Sequence, residues 1–357
     1  MSVDEPVTDK RSQPPSGAPA PATATATASG GGGGGTPVSE RSSRMSLGEF
    51  LARYGVLIAF VLMVIVFSLA KPDTFPTWEN WKNIFTAAAP ALIVAAGLTV
   101  PLVMQDFDLS FGAMISLAGG CAVTLMAKND VTWIVAILAA LGLGLAAGFT
   151  NGFLIAYLGG SSFIITLAMG TVLTGVEFAI TSQDTIFSGV AATYVEIAQN
   201  TFLGLSNQVW IAAVLAFLIW VLLDLSEPGR YMYAIGGNPE AARLSGISTK
   251  RLRLAGFVIV AVMAAIAGIL LTGNSASYSP SLGASFLLPA FAAVFLGSAV
   301  LRPGEFNLPG TVIGVVFLGA IQTGLTQLNL EAYVINLVQG GILIFAVLLS
   351  RLGQRTV

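Results

Sequence analysis

The sequence contains no histidine and a single cysteine, Cys121, among 357 residues. Disulfides are excluded, and the imidazole and thiolate ligands of most transition-metal sites are missing. Charge is scarce as well. The 18 acidic and 16 basic side chains amount to 10% of the chain, against about 25% in an ordinary soluble domain. Ten of them fall in the first 53 residues, which leaves 24 for the other 304 positions. The net charge of −2 excludes a broad basic surface for nucleic acid. No metal-ligand cluster and no nucleophile–base pair can be assembled, and no Gly-x4-Gly-Lys-Ser/Thr pattern is present, so neither an enzyme nor a nucleotide site is expected. What remains is apolar: hydrophobic residues make up 55% of the chain, and 40 glycines join them. This is the composition of an all-α polytopic membrane protein, and Cys121 reads as packing within it.

Residues 1–46 are rich in Pro, Ala and Thr and contain a run of six glycines, Gly30–Gly35. They have little apolar surface to offset the entropy of ordering, and are expected to form a disordered tail ahead of a membrane domain spanning residues 47–357. Within that domain, stretches free of Asp, Glu, Lys and Arg mark the spans, because a charge at the bilayer centre costs about 2.5–3.5 kcal/mol. Tyr54–Ala70, Asn83–Gln105, Leu109–Ala127, Ile197–Leu223, Phe306–Leu330 and Ala332–Ser350 each fit one helix. Val131–Val176 and Leu254–Leu301 are about twice as long and should each hold two, broken at Tyr157–Ser162 and Asn274–Ser285. The expected total is about ten.

Twelve of the sixteen Lys and Arg cluster before the first span, after the sixth, or after the last. With an even span count, the positive-inside rule places both termini and the loop 226–252 in the cytoplasm. Ser68-Leu69-Ala70 resembles a signal cleavage site, but a leader of about fifty residues is too long for a signal peptide. A weak parallel repeat at an offset of 199 places Asp106-Phe107-Asp108-Leu109 on Glu305-Phe306-Asn307-Leu308.

Three features carry chemical information. In the basic loop Asn238 suits a helix N-cap, Pro239 the first helical position, Glu240 the positive end of the dipole, and Gly246 the terminus. The spacing predicts a helix of about two turns outside the membrane, either a surface-lying connector or a docking element. Asp106 and Asp108 interrupt an apolar stretch. Asp108 is placed to cap a helix starting at Leu109, as Asn307 is for Leu308, and both ends can also face a polar cavity that meets hydroxyls. Glu177 has no basic neighbour in sequence, and its meaning depends on its depth.

The loop Gly229-Arg-Tyr-Met-Tyr-Ala-Ile-Gly-Gly-Asn-Pro-Glu-Ala-Ala-Arg-Leu-Ser-Gly-Ile247 resembles the cytoplasmic signature of ribose-type ABC importer permeases, which include autoinducer-2 permeases. Asp106-Phe-Asp-Leu-Ser-Phe-Gly112, Asn151-Gly-Phe-Leu-Ile-Ala-Tyr-Leu-Gly159 and Phe163-Ile-Ile-Thr-Leu167 are similar to further family motifs, in family order. The resemblance covers roughly residues 50–352. It departs at Gln105-Asp106, where the family has Gly-Gly, and at Glu177, where an arginine is common.

The resemblance implies a permease subunit of an ATP-driven importer in the bacterial inner membrane, carrying a sugar or polyol inward. Gly229, Arg230, Asn238, Pro239, Glu240, Ala241, Ala242, Arg243, Leu244 and Gly246 would couple it to the ATPase. Asp106, Phe107, Asp108, Ser110, Asn151, Phe163, Thr166, Glu177, Glu305 and Asn307 would line or flank the substrate pathway, with Ser116 and Gln322 as further polar candidates. Implied partners are a second permease subunit, a copy or a paralogue, two ABC ATPase subunits, an extracytoplasmic solute-binding protein and membrane lipid. No cofactor is expected in this chain, since ATP and Mg belong to the ATPase. The alternative, a secondary transporter or channel, would need relay charges within its spans, for which only Glu177 stands out.

Overall fold

The computed structural model describes the backbone of residues 47–300, 302 and 304–354, with side chains at 55–342 and 344 within that range. The tail expected over residues 1–46 lies outside the described residues.

The chain folds as α1 (Leu47–Ala70), α2 (Trp78–Val103), α3 (Phe111–Asn129), α4 (Trp133–Ala156), α5 (Ser162–Thr181), α6 (Ala192–Gln199), a two-strand hairpin β1 (Thr201–Phe202) and β2 (Leu205–Ser206), α7 (Asn207–Trp220), α8 (Glu227–Gly237), α9 (Pro239–Leu244), α10 (Thr249–Ser275), α11 (Leu287–Gly297), α12 (Leu308–Gln327) and α13 (Ala332–Gln354). A π-helical turn, Val221–Leu225, extends α7, and a 3-10 turn, Leu282–Phe286, precedes α11. The fold is all-α apart from the hairpin.

Seven described helices are long and apolar enough to cross a membrane: α2, α3, α4, α5, α7 with its π turn, α10 and α12. The three other expected spans fall on shorter apolar segments, Gly55–Ala70, Leu282–Gly297 and Ala332–Ile342. For α11 the shortening has a local cause, because it is preceded by a 3-10 turn and, before that, by the non-helical residues 276–281. Both expected breaks are present: α4 ends at Ala156 and α5 starts at Ser162, while α10 ends at Ser275 and α11 starts at Leu287.

α10 is the central helix, packed against α2, α3 and α4. Small residues allow this. On α4, Gly144, Gly148 and Gly152 recur every four residues and form one ridge facing α10, where a Cβ on Gly148 would lie 2.7 Å from both the Phe257 carbonyl oxygen and the Val258 Cα. Such ridges bring backbones together where lipid tails are no less apolar than Leu and packing must supply the association. α2 runs antiparallel to α10, with Gly97 against Met263 and Met104 against Gly256. α11 and α12 cross at another glycine contact, Gly297 on Gly310. At the opposite end of α12, Gln327 donates to Asn80 at 2.7 Å and accepts from Thr74 at 3.1 Å, tying it to the start of α2. α4 and α5 keep large apolar side chains exposed, among them Leu138, Phe149, Phe163 and Ile164, as lipid-facing helices do.

Candidate functional site: a capped loop helix, a polar junction and a cavity

The loop after α7 is built on local capping. Ser226 Oγ accepts the Gly229 N–H at 3.2 Å, and Pro228 occupies the first turn of α8. Two glycines let α8 lie against the membrane helices. A Cβ on Gly229 would meet the Leu222 carbonyl oxygen at 2.2 Å, and one on Gly236 would meet that of Val103 at 2.0 Å. Tyr233 donates its hydroxyl to the Phe306 carbonyl at 2.9 Å, and burial pushes its phenol pKa up to about 12. The Asp224 carboxylate pairs with Arg302 at 2.8 Å. The loop is thereby fastened to the ends of both α2 and α12.

α9 follows with the expected boundaries. Asn238 Oδ1 accepts the N–H groups of Glu240 and Ala241 at 3.1 and 3.0 Å, Pro239 opens the helix, and Gly246 closes the turn with φ +85°. Glu240 and Arg243 pair at 2.6 Å and are both exposed. Leu244 is 78% exposed. Ala242, assigned to the docking set from sequence, is buried within the chain, whereas Ala241 faces outward. The helix period separates the two: adjacent residues point about 100° apart, and Ala242 is the one turned inward. Gly229 is likewise buried, and Arg230 is exposed.

The Asp-Leu-Ser segment forms a polar junction between α3, α4, α5 and α10. Arg253 holds Asp106 in a bidentate pair, Nε to Oδ2 and Nη2 to Oδ1, both at 2.6 Å. Asp108 Oδ1 accepts the N–H and the hydroxyl of Ser110 at 2.7 and 2.6 Å, and Asn151 donates to Ser110 Oγ at 2.9 Å. Thr166 Oγ1 accepts the Leu109 N–H at 3.0 Å, and Ser162 Oγ accepts that of Phe107 at 3.2 Å. α3 begins at Phe111 with Ser110 as its N-cap residue, so the cap expected for a helix starting at Leu109 is displaced. Asp108 binds the N-cap residue itself, and the Leu109 N–H goes to Thr166. Asn307 does cap α12 as expected, accepting the Gly310 N–H at 2.8 Å, with Pro309 in the first turn.

The remaining expected pathway residues scatter. Phe163 is 51% exposed on α5, and Glu305 is exposed. Phe107 stacks on Phe291 of α11. Glu177 is buried, one turn from the end of α5, and accepts from Tyr278 and Ser281.

None of these ten residues lines a cavity of about 940 Å³ between α2, the 3-10 turn, α11, α12 and α13. Its polar lining is Ser285, Gln322, Thr323, Thr326, Gln327, Asn336 and Gln339, against walls of Ala87, Ala88, Ala91, Phe286, Leu288, Ala292 and Leu318. No charged side chain is among the lining residues. Of the sequence-stated candidates only Gln322 reaches it. The signal missed was periodic: Gln322, Thr323, Thr326 and Gln327 on α12, and Asn336 and Gln339 on α13, put uncharged polar groups at helical spacing inside otherwise apolar segments.

An apolar helical bundle with a capped loop helix and an uncharged cavity fits a transport-system membrane subunit. The chain belongs to the family described as branched-chain amino acid transport system / permease component, which matches residues 80–347. It is 32% identical to the ribose import permease protein RbsC of Escherichia coli K12, over 84% of this chain and 93% of that protein. It is 29% identical to the D-allose transport system permease protein AlsC of the same strain, over 85% and 93%, and 30% identical to its L-arabinose transport system permease protein AraH, over 88% and 94%. The chain is therefore a multi-pass ABC importer permease, and ATP hydrolysis resides on a separate subunit.

Proposed function

We propose that this chain is one of two membrane subunits, the second a copy or a paralogue, that import a neutral sugar or related polyol when two ABC ATPase subunits hydrolyse ATP. An extracytoplasmic solute-binding protein delivers the solute, and ATP and Mg act on the ATPase. The observation that carries this reading is the uncharged amide- and hydroxyl-lined cavity, whose chemistry suits a ligand that presents hydroxyls and no charge. The ribose, allose and arabinose permeases similar to this chain support the solute class.

Ten spans, with both termini and residues 226–252 cytoplasmic, fit the positions of the basic clusters. The repeat is supported by element boundaries, since α4 and α13 start 199 residues apart, at Trp133 and Ala332. α9 is the ATPase-docking helix in this reading, supported by its exposed Ala241, Arg243 and Leu244. The test is reconstitution in proteoliposomes with the cognate ATPase and binding protein. ATP-dependent accumulation of a labelled aldose is expected; accumulation driven by an ion gradient without ATPase would overturn the proposal.

A further inference from the structure

Between α10 and α11 the chain does not simply turn back. Residues Ala276–Gly283 run as a strap against α3 and α5. The Tyr278 N–H and carbonyl pair with those of Ile186 at 2.9 Å, the Tyr278 ring covers Gly120, and the Gly283 N–H donates to Ser116 Oγ at 2.9 Å. A Cβ on Gly283 would stand 2.2 Å from the Gly112 carbonyl oxygen, so the strap reaches the first turn of α3. Two of its non-glycine residues, Ala276 and Ser281, hold positive φ of 50° and 59°. Such conformations persist only where the surroundings impose them.

At Ser281 the hold comes from Glu177. Its Oε1 accepts the Tyr278 hydroxyl at 2.6 Å and the Ser281 N–H at 2.8 Å, so one oxygen joins α5 to the strap twice. The other oxygen, Oε2, is buried and takes no hydrogen bond among the described residues. Lys128, at the end of α3, pairs instead with Asp184 at 2.6 Å. For bare stability this is a poor arrangement, because a half-satisfied buried carboxylate costs more than an amide of the same shape. Immediately beyond the strap, Ala284, Ser285 and Phe286 form one wall of the 940 Å³ cavity.

We infer that Glu177 is a positioning residue for transport: through Tyr278 and Ser281 it latches the strap whose continuation walls the solute cavity, and thereby sets how that wall stands. The inference rests on the reading of the chain as a permease, with the cavity as its solute site. Removing the latch should let the strap lift while the helices stay packed.

Hydrogen–deuterium exchange of the purified chain tests this without any transport step. Loss of a hydrogen bond shifts an opening equilibrium by roughly 2- to 10-fold. Glu177→Ala and Tyr278→Phe should speed exchange of a peptide covering 276–286 by that factor and leave a peptide from the middle of α10 at the parental rate. Glu177→Gln keeps the acceptor oxygen and should exchange at the parental rate. In the assembled transporter, the uptake rate per complex should fall in the first two variants and be restored in the third. Tyr278→Phe retains the ring on Gly120, so it reads the latch even if Glu177→Ala does not fold. Parental exchange over 276–286 in Tyr278→Phe would overturn the latch. Faster exchange with parental uptake would overturn its role in transport. Failure of the parental complex to use ATP would count against the importer reading alone, since exchange is measured independently.

Discussion

Arg253 and Asp106 meet across 147 positions of sequence, guanidinium to carboxylate, with both carboxylate oxygens engaged at 2.6 Å. The carboxylate that departs from the family pattern is thus held by the second turn of α10, fixing the chain between α2 and α3 to the central helix.

Breaking that pair should be costly in one direction and mild in another. Arg253→Ala leaves Asp106, 4% exposed, without its counter-charge, and should destabilise by roughly 3 kcal/mol, the low end for a buried pair because Arg253 is itself 30% exposed. Removing both charges should recover much of that loss. Thermal unfolding of the two single variants and the double variant in detergent gives the coupling; additive effects would mean that the pair contributes nothing specific.

The α4–α10 contact predicts a contrast between two glycines on one helix. Gly148→Ala puts a methyl 2.7 Å from the α10 backbone and should cost about 1–3 kcal/mol by overpacking. Gly142→Ala meets nothing within 4 Å and should be neutral or stabilise by about 0.5–1 kcal/mol through helix propensity. Unfolding midpoints of the two proteins decide it.

On α9, burial separates assembly from folding. Ala241→Trp is expected to leave insertion and thermal stability unchanged and to abolish co-purification with the ATPase. Ala242→Trp should lower stability itself, because its methyl is buried within the chain. Asn238→Ala removes the acceptor of two N–H bonds and should cost about 0.5–2 kcal/mol. Equal behaviour of the two Trp variants in both assays would refute the assigned faces.

The cavity lining predicts a loss confined to transport. Gln322→Leu and Gln339→Leu each remove an amide, and a lost neutral hydrogen bond is worth about 0.5–1.5 kcal/mol, or roughly 2- to 10-fold in uptake rate. Expression and ATPase co-purification should match the parent. Unchanged uptake in both variants would remove this cavity from the pathway.

The parts legible from sequence are those set by neighbouring residues. Asn238, Pro239 and Gly246 announced α9 because capping is a contact between residues two or three apart. The break at Tyr157–Ser162 is legible from its cluster of Gly and Ser, and Gly159 adopts a positive φ there. What stayed hidden depends on distant partners. The bidentate hold on Asp106 needs Arg253, which belongs by sequence to the basic loop cluster. The latch on Glu177 needs a tyrosine 101 positions away. The hold of Thr166 on the Leu109 N–H joins residues 57 positions apart. Asp108, Ser110 and Asn151 bond one another across elements, while Asp108 Oδ2 and Asn151 Oδ1 have no partner among the described residues.

α10 begins five residues after α9 ends, and its last residue, Ser275, adjoins the strap. A helix of 27 residues is a rod of about 40 Å, so a tilt of about 5° about one end carries the other sideways by about 3 Å. It is also gripped along its length by the glycine ridge of α4, which resists bending. Mechanically, α10 is a stiff rod that runs from beside the loop helix to the strap leading to the cavity wall, so a tilt about its loop end displaces the strap end by the width of a hydroxyl group.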